Sequence, residues 1–323
     1  MRRMILGMGI GLMLIVPLAA ISPGYLLELS PDASSLALAG ATQALPSGAL
    51  DIFINPALIE QDGGLRLALS NFVEYRNYQY MALGVTFPFR KYGTMGVGIL
   101  GLHVPGIQQY DALGMYLGEF SHYNAAVFLS FARKILPWRF GVNLKFLRSG
   151  FLGLSKNRAG NGVGMDLGVH YAVYPGVQLG VVYRLAFRVF WGDGYSETIP
   201  KSLNLALYWS PKLLGSRFLG SVLGIQQVKG EPAKLNLGIR LAPFRDENKL
   251  ERLVIYGGMG TVNIETRNLQ IDLADYSRAE GVYSTGITLK VGTPGAFVFV
   301  LDYCFWWHRV LGNRHLLTTK LEF

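Results

Sequence analysis

Cysteine is almost missing from this chain: Cys304 is the only one in 323 residues. That excludes an internal disulfide framework and any zinc site built from several thiolates. Charge is also sparse, at 16% of residues, and the surplus of Lys and Arg behind the formal +9 is scattered, with no dense basic block. Nucleic acid is therefore not an expected partner; anionic lipid headgroups or an anionic ligand group fit the balance better. Long apolar runs are lacking too. After residue 20 no uninterrupted stretch approaches the roughly 18 to 20 residues that a spanning helix needs, although half of the chain is hydrophobic and the mean hydropathy is +0.28. Helical membrane spans are argued against, and a membrane barrel is left open.

Catalytic and metal motifs are equally scarce. His103, His122, His170, His308 and His315 show no metal-ligand spacing, and neither a GxSxG elbow nor an HExxH helix occurs. The run "GVGILG", Gly96 to Gly101, fits GxGxxG. A dinucleotide site needs that pattern in a strand-to-helix turn, whereas here it continues through Leu102-His103-Val104-Pro105 with no helix. Small residues where strands crowd are the plainer explanation. No cofactor, metal or enzymatic activity is expected; a barrel hydrolase using His170 is the catalytic alternative.

What is present is a distinctive order of segments. Met1-Arg2-Arg3 followed by "MILGMGIGLMLIVPLAA" has the charged start, apolar core and small residues of an export signal. An uncleaved anchor is the competing reading, but Pro17 and Ser22-Pro23-Gly24 break the apolar core early. From Leu65 onward the chain alternates with period two, which puts successive side chains on opposite faces of a strand. Phe140, Val142, Leu144 and Phe146 fall on one face and Asn143 and Lys145 on the other. Likewise Leu179, Val181, Tyr183, Leu185 and Phe187 oppose Gln178, Gly180, Arg184 and Arg188.

Segments of about 9 to 13 residues exceed the usual 5 or 6 of globular strands and match a tilted bilayer span. Short connections such as "LPW", "YPG" and "GTPGA" take turns with longer ones such as "GIQQYDALGMYLGEFSH", "WGDGYSETIP" and "HRVLGNR", as the two rims of an outer-membrane barrel do. The fold class expected is all-β: a transmembrane antiparallel barrel of about 14 strands, in contact with outer-membrane lipid. Tyr78, Tyr80, Phe87, Phe89, Tyr174, Tyr208, Trp209, Trp306 and Trp307 lie near strand ends, where an interfacial girdle belongs. The last strand carries Leu317, Thr319, Leu321 and a terminal Phe323 in one register. It resembles the signal read by the barrel assembly machinery. The polar register places Asp166, His170, Arg184, Arg188, Lys234, Asn236, Arg240, Lys290 and Asp302 in the lumen, where they hydrate, cross-pair or meet a ligand.

Between signal and barrel lies "SPDASSLALAGATQALPSGALDIFINPALIEQDGG". Its pattern suits a helix around Ser34 to Ala44 capped by Asp32 or Ser34, a turn at Pro46-Ser47-Gly48, and an apolar segment broken at Asn55-Pro56. It is too apolar for a free tail, and burial in the barrel mouth would cover it. This stretch resembles the FadL-like outer-membrane proteins, and in length the shorter PorV/PorQ group. "LALAGATQAL" corresponds to their small-residue helix and Asn55-Pro56-Ala57 to their NPA element; Leu58 replaces a customary glycine, and "PSGALD" lacks most of an acidic turn. The resemblance implies a lumenal hatch with Asn55, Pro56 and Ala57 in gating. It also implies one of two roles: passive uptake of hydrophobic or amphipathic small molecules, or binding of cargo and partner proteins in type IX secretion. The resulting division is an export signal over 1–20, a hatch over 21–64 and a barrel over 65–323, in the outer membrane of a Gram-negative-type bacterium.

Overall fold

The computed structural model describes residues 22–60, 64–74, 78–154, 159–192, 194–212, 218–245, 250–265, 270–271, 282–308 and 312–323. The expected export signal over 1–20 lies outside them. Fourteen antiparallel strands close on themselves. In chain order they are β1 (Arg66–Glu74), β2 (Tyr78–Phe89), β3 (Gly93–Tyr110), β4 (Tyr116–Ile135), β5 (Trp138–Leu152) and β6 (Ala159–Tyr174). Then come β7 (Val177–Arg184, resuming as Phe187–Trp191), β8 (Ser196–Ile199, resuming as Ser202–Trp209), β9 (Leu219–Val228) and β10 (Ala233–Arg245). The last four are β11 (Glu251–Glu265), β12 (Val282–Thr293), β13 (Phe297–His308) and β14 (Gly312–Glu322). β1 pairs with both β2 and β14, with Arg66 opposite Glu322 and Leu67 opposite Leu321, so the sheet has no edge.

The two faces of the wall are chemically opposite. Leu144 and Phe146 on β5 are 41% and 42% exposed, while their neighbours Asn143 and Lys145 are 1% and 2% exposed. An apolar exterior around a polar, closed interior is the pattern of a barrel that crosses a membrane with strands. Among the described residues no helix is long and apolar enough to cross.

Four sequence expectations change. The segment Val177 to Phe190 is broken at Leu185-Ala186, with the Leu185 amide donating to Met165 O. One extra residue shifts the pairing, from Asp166 opposite Arg184 to Gly162 opposite Val189, and resets the alternation, so Phe187 and Val189 turn inward and Arg188 lies on the outer face. Much of the expected long loops is strand: β3 and β4 run 18 and 20 residues and leave only 111–115 between them. Tyr80, Tyr208 and Trp306 face the lumen rather than an interfacial girdle, whereas Phe89, Tyr174, Trp209 and Trp307 do point outward. The helix expected over Ser34 to Ala44 stops after one turn, α1 (Ala33–Ala37), with Asp32 as its cap.

The rest of the N-terminal segment is a turn at Tyr25–Leu27, a short α2 (Asp51–Ile54) and a 3-10 turn at Pro56–Ile59. It lies inside the barrel, nearer the end that holds the chain terminus, where Phe323 exchanges backbone hydrogen bonds with Gly64 and Leu65. Inward-facing glycines make room for it. A Cβ on Gly141 would stand 2.3 Å from the Ala57 nitrogen, one on Gly168 2.2 Å from Asn55 Oδ1, and one on Gly180 2.0 Å from Gln43 O. Gly96 and Gly98, from the GxGxxG run, face Ile52 and Phe53 in the same way. That run is a packing surface.

Candidate functional site

The hatch is held by polar groups from both sides of the wall. Asn55 is extended (φ −150°, ψ 110°), as a residue before proline prefers, and its side chain accepts from the Ala57 amide. Its Nδ2 donates to Gln43 O at 2.8 Å and to Val169 O at 3.2 Å, joining two parts of the hatch to β6. Asn143 donates to Ile52 O at 2.7 Å, Arg184 to Phe53 O at 3.1 Å, and Ser284 to Ala37 O at 3.1 Å. The orphan carbonyls of these very short helices are thereby satisfied by the barrel wall.

At the terminal end the ties are ionic. Lys320 of β14 reaches Asp32 at 2.8 Å and Asp302 of β13 at 2.7 Å, and donates to Ser47 O at 3.1 Å. Ser47 Oγ in turn bridges Asp32 and Asp51. Burial works against the Asp32 charge, but Lys320 beside it holds the carboxyl below its ordinary range. At Asp51 burial outweighs Lys320 and the neighbouring donors, which also lower the carboxyl. Burial pushes its carboxyl up to about 6, against the donors of Ser47 and Gly48.

Cavities flank the hatch on both sides. Toward the far rim is an outer cavity of two lobes, about 220 and 330 Å³, which share Leu27, Glu28, Arg184 and Gln226. Toward the terminal end is an inner cavity of about 200 Å³, lined by Arg240, Tyr256, Lys290, Asp302, Lys320 and hatch residue Ser47. Glu28 projects into the outer cavity, where burial and neighbouring Glu231 push its carboxyl up.

The sequence-derived lumen set divides accordingly. Arg184 lines the outer cavity; Arg240, Lys290 and Asp302 line the inner one. Asp166 pairs with Lys145 at 2.6 Å, and His170 is buried between Arg139 and Gln178. Lys234 sits at the far rim against Glu231, 2.9 Å away, and Arg188 is outside the lumen. Leu321 and Phe323 occupy the outer face of the closing strand, Phe323 packing on Phe297 at 5.5 Å. Sequence reasoning missed Lys320, Lys145, Asn204 and Gln226. Each lies on the polar register of its strand, so the alternation that assigned Asp302 marks them equally. Among the described residues no cluster of His, Cys, Asp and Glu could hold a metal ion.

No family model and no curated protein matches the sequence. Solved structures do match. The architecture is similar to that of the CymD monoaromatic hydrocarbon channel (TM-score 0.60, 13% identity, 90% of this chain and 95% of that one). It also resembles the Ralstonia pickettii toluene transporter TbuX (0.60, 12% identity, 91% and 97%) and a Pseudomonas aeruginosa FadL homologue (0.55, 10% identity, 91% and 97%). The fold is FadL-like. At these identities the likeness shows the fold alone, and the PorV/PorQ assignment finds no match. All three superpositions are near full-length, so the likeness extends over the whole barrel.

Proposed function

We propose that this protein is an outer-membrane channel for passive uptake of hydrophobic or amphipathic small molecules, with the segment 22–60 as the hatch that gates it. The observation that carries this reading is a hatch seated across the lumen of a closed barrel, with a cavity on either side of it. The FadL-like architecture supports it, because the similar structures are named as a hydrocarbon channel and a toluene transporter. Asn55 is the gating residue of choice, since one side chain ties Gln43, Val169 and Ala57 together. Flux tests it: proteoliposomes holding the wild-type chain take up toluene or a fatty acid above empty-vesicle background, and Asn55→Leu changes that rate severalfold. Background flux for every aromatic compound and fatty acid tried defeats the proposal.

A second reading, a component that binds cargo or partner proteins of a secretion system, is favoured by the tip of the β3–β4 hairpin. There Leu113 is 89% and Met115 65% exposed, beside Leu117 and Tyr116. Apolar side chains at a projecting tip suit a protein contact. Affinity purification from the native membrane decides this one: recovery of a secretion component or cargo protein supports it, and recovery of the barrel alone removes it.

A further inference from the structure

Carboxamides gather on one side of the outer cavity. Asn204 of β8 and Gln226 of β9 stand directly opposite each other in register, Asn236 follows on β10, and Gln43 of the hatch faces them. Gly260 of β11 lies close against Asn236; a Cβ there would stand 3.1 Å from Asn236 Oδ1. Asn204 is only 3% exposed, and its Nδ2 has no hydrogen-bond acceptor among the described residues. A buried amide donor without a partner destabilises the empty site, and a ligand oxygen would satisfy it.

The cations in and beside this cavity have contacts of their own. Arg184 donates to Phe53 O, Lys145 pairs with Asp166, and Lys234 pairs with Glu231. Arg314 lies over the Trp306 ring, 4.4 Å from its centroid. Meanwhile Glu28, Glu197 and Glu231 line the larger lobe. An anionic ligand would meet those three carboxylates, with Arg184 held at the Phe53 carbonyl and Arg314 over the Trp306 ring. A bare hydrocarbon would fill the space against Leu36, Phe53, Ile54 and Trp306 but leave the Asn204 donor unpaired.

We propose that the outer cavity selects an uncharged molecule with a hydrogen-bonding head, a carboxamide, carbonyl or hydroxyl, on a compact apolar body. This rests on the uptake reading and narrows its substrate class. The head docks on the carboxamide row of Asn204 and Gln226, and the body lies against Leu36, Phe53 and Trp306. Lobes of about 220 and 330 Å³ admit a body the size of one ring with its substituent; small-ligand pockets start near roughly 300 Å³. Sites built to hydrogen-bond a head reject the analogue that lacks it, because their own buried groups are then left unpaired.

The test holds the ring constant and varies the head. Benzamide, benzyl alcohol, toluene and benzoate are titrated calorimetrically into the folded full-length barrel in detergent. Benzamide and benzyl alcohol are expected to bind about tenfold or more tightly than toluene and benzoate. Asn204→Leu and Gln226→Leu, each checked for folding by heat-modifiable gel mobility, bring the benzamide-to-toluene ratio toward one. Equal or tighter binding of toluene or benzoate overturns the proposal, as does a ratio that survives both substitutions or no binding by any of the four. Proteoliposome flux separates this from the uptake reading. Head-group preference without flux sinks uptake and keeps the ligand class; toluene flux without preference sinks the ligand class alone.

Discussion

The two ends of the hatch are held by different forces. Its terminal end is anchored by ions removed from water: Lys320 between Asp32 and Asp302, with Ser47 linking to Asp51. Its other end, Ser22 to Ser30, is held by single part-buried hydrogen bonds: Asn124 donates to Ser22 O at 3.3 Å, Ser22 Oγ to Glu197 at 2.5 Å, and Arg314 to the Tyr25 hydroxyl at 3.4 Å. Buried ion pairs cost about 3–5 kcal/mol to break one partner at a time, whereas a single hydrogen bond contributes about 1 kcal/mol. The difference teaches where motion is cheap: the outer end of the hatch can shift while the inner end stays seated.

The largest test of that contrast removes the anchor. Lys320→Met leaves Asp32 and Asp302 buried beside each other without a cation, and should destabilise the folded barrel by about 3–5 kcal/mol. Denaturant unfolding followed by gel mobility measures it; a loss below about 1 kcal/mol would mean that the anchor is not what seats the hatch. Next comes space. Gly141→Val places carbon 2.3 Å from the Ala57 nitrogen, where backbone cannot yield. The overpacking cost is about 1–3 kcal/mol, enough to unseat the hatch with the barrel intact. Protease cleavage within 22–60 and single-channel conductance should both rise.

A smaller effect is expected from Asn55→Leu, which deletes hydrogen bonds to Gln43 and Val169. Its cost is about 1–2 kcal/mol, read as faster hydrogen exchange in residues 49–59. At the outer end, Ser22→Ala removes a part-buried hydrogen bond to Glu197 and should cost about 0.5–1.5 kcal/mol, with the same unfolding assay as the check. The smallest and most specific test is pH. Asp51 has a carboxyl raised to about 6 in the seated hatch from an ordinary 3.8, so its proton favours seating fully below about pH 4. That contribution is lost as pH rises through 6. Asp32, held below its ordinary range, has the opposite sign and acts only in stronger acid. Between pH 7 and 5 the amides of Ser47 and Gly48 should therefore gain protection severalfold, after correction for intrinsic exchange, and Asp51→Asn should flatten the curve.

Much of this architecture is legible in the residues. Alternation on β5, β6 and β10 assigns inner and outer faces correctly because each pleat sends neighbours to opposite sides. It fails past Arg184, where one extra residue enters the ladder at Leu185-Ala186 and no side-chain pattern announces the break. Position near a strand end suggests the girdle for Tyr80 and Trp306, but parity decides their face and turns them inward. Asp32 reads as a helix cap, and it is one. That it also meets Lys320, 288 residues later, depends on barrel closure, which no local pattern encodes.

The inward glycines have a consequence for how the ring closes. Gly141, Gly168 and Gly180 leave no clearance beyond the hatch backbone itself, and Ala33 is hydrogen-bonded to Thr318 on the closing strand. The wall and the N-terminal segment are thus cut to one another's shape, and the strand that closes the ring is also one that grips its contents. Closure of β14 on β1 and seating of residues 22–60 are therefore coupled: a side chain larger than hydrogen at any of these three glycines strains both at once.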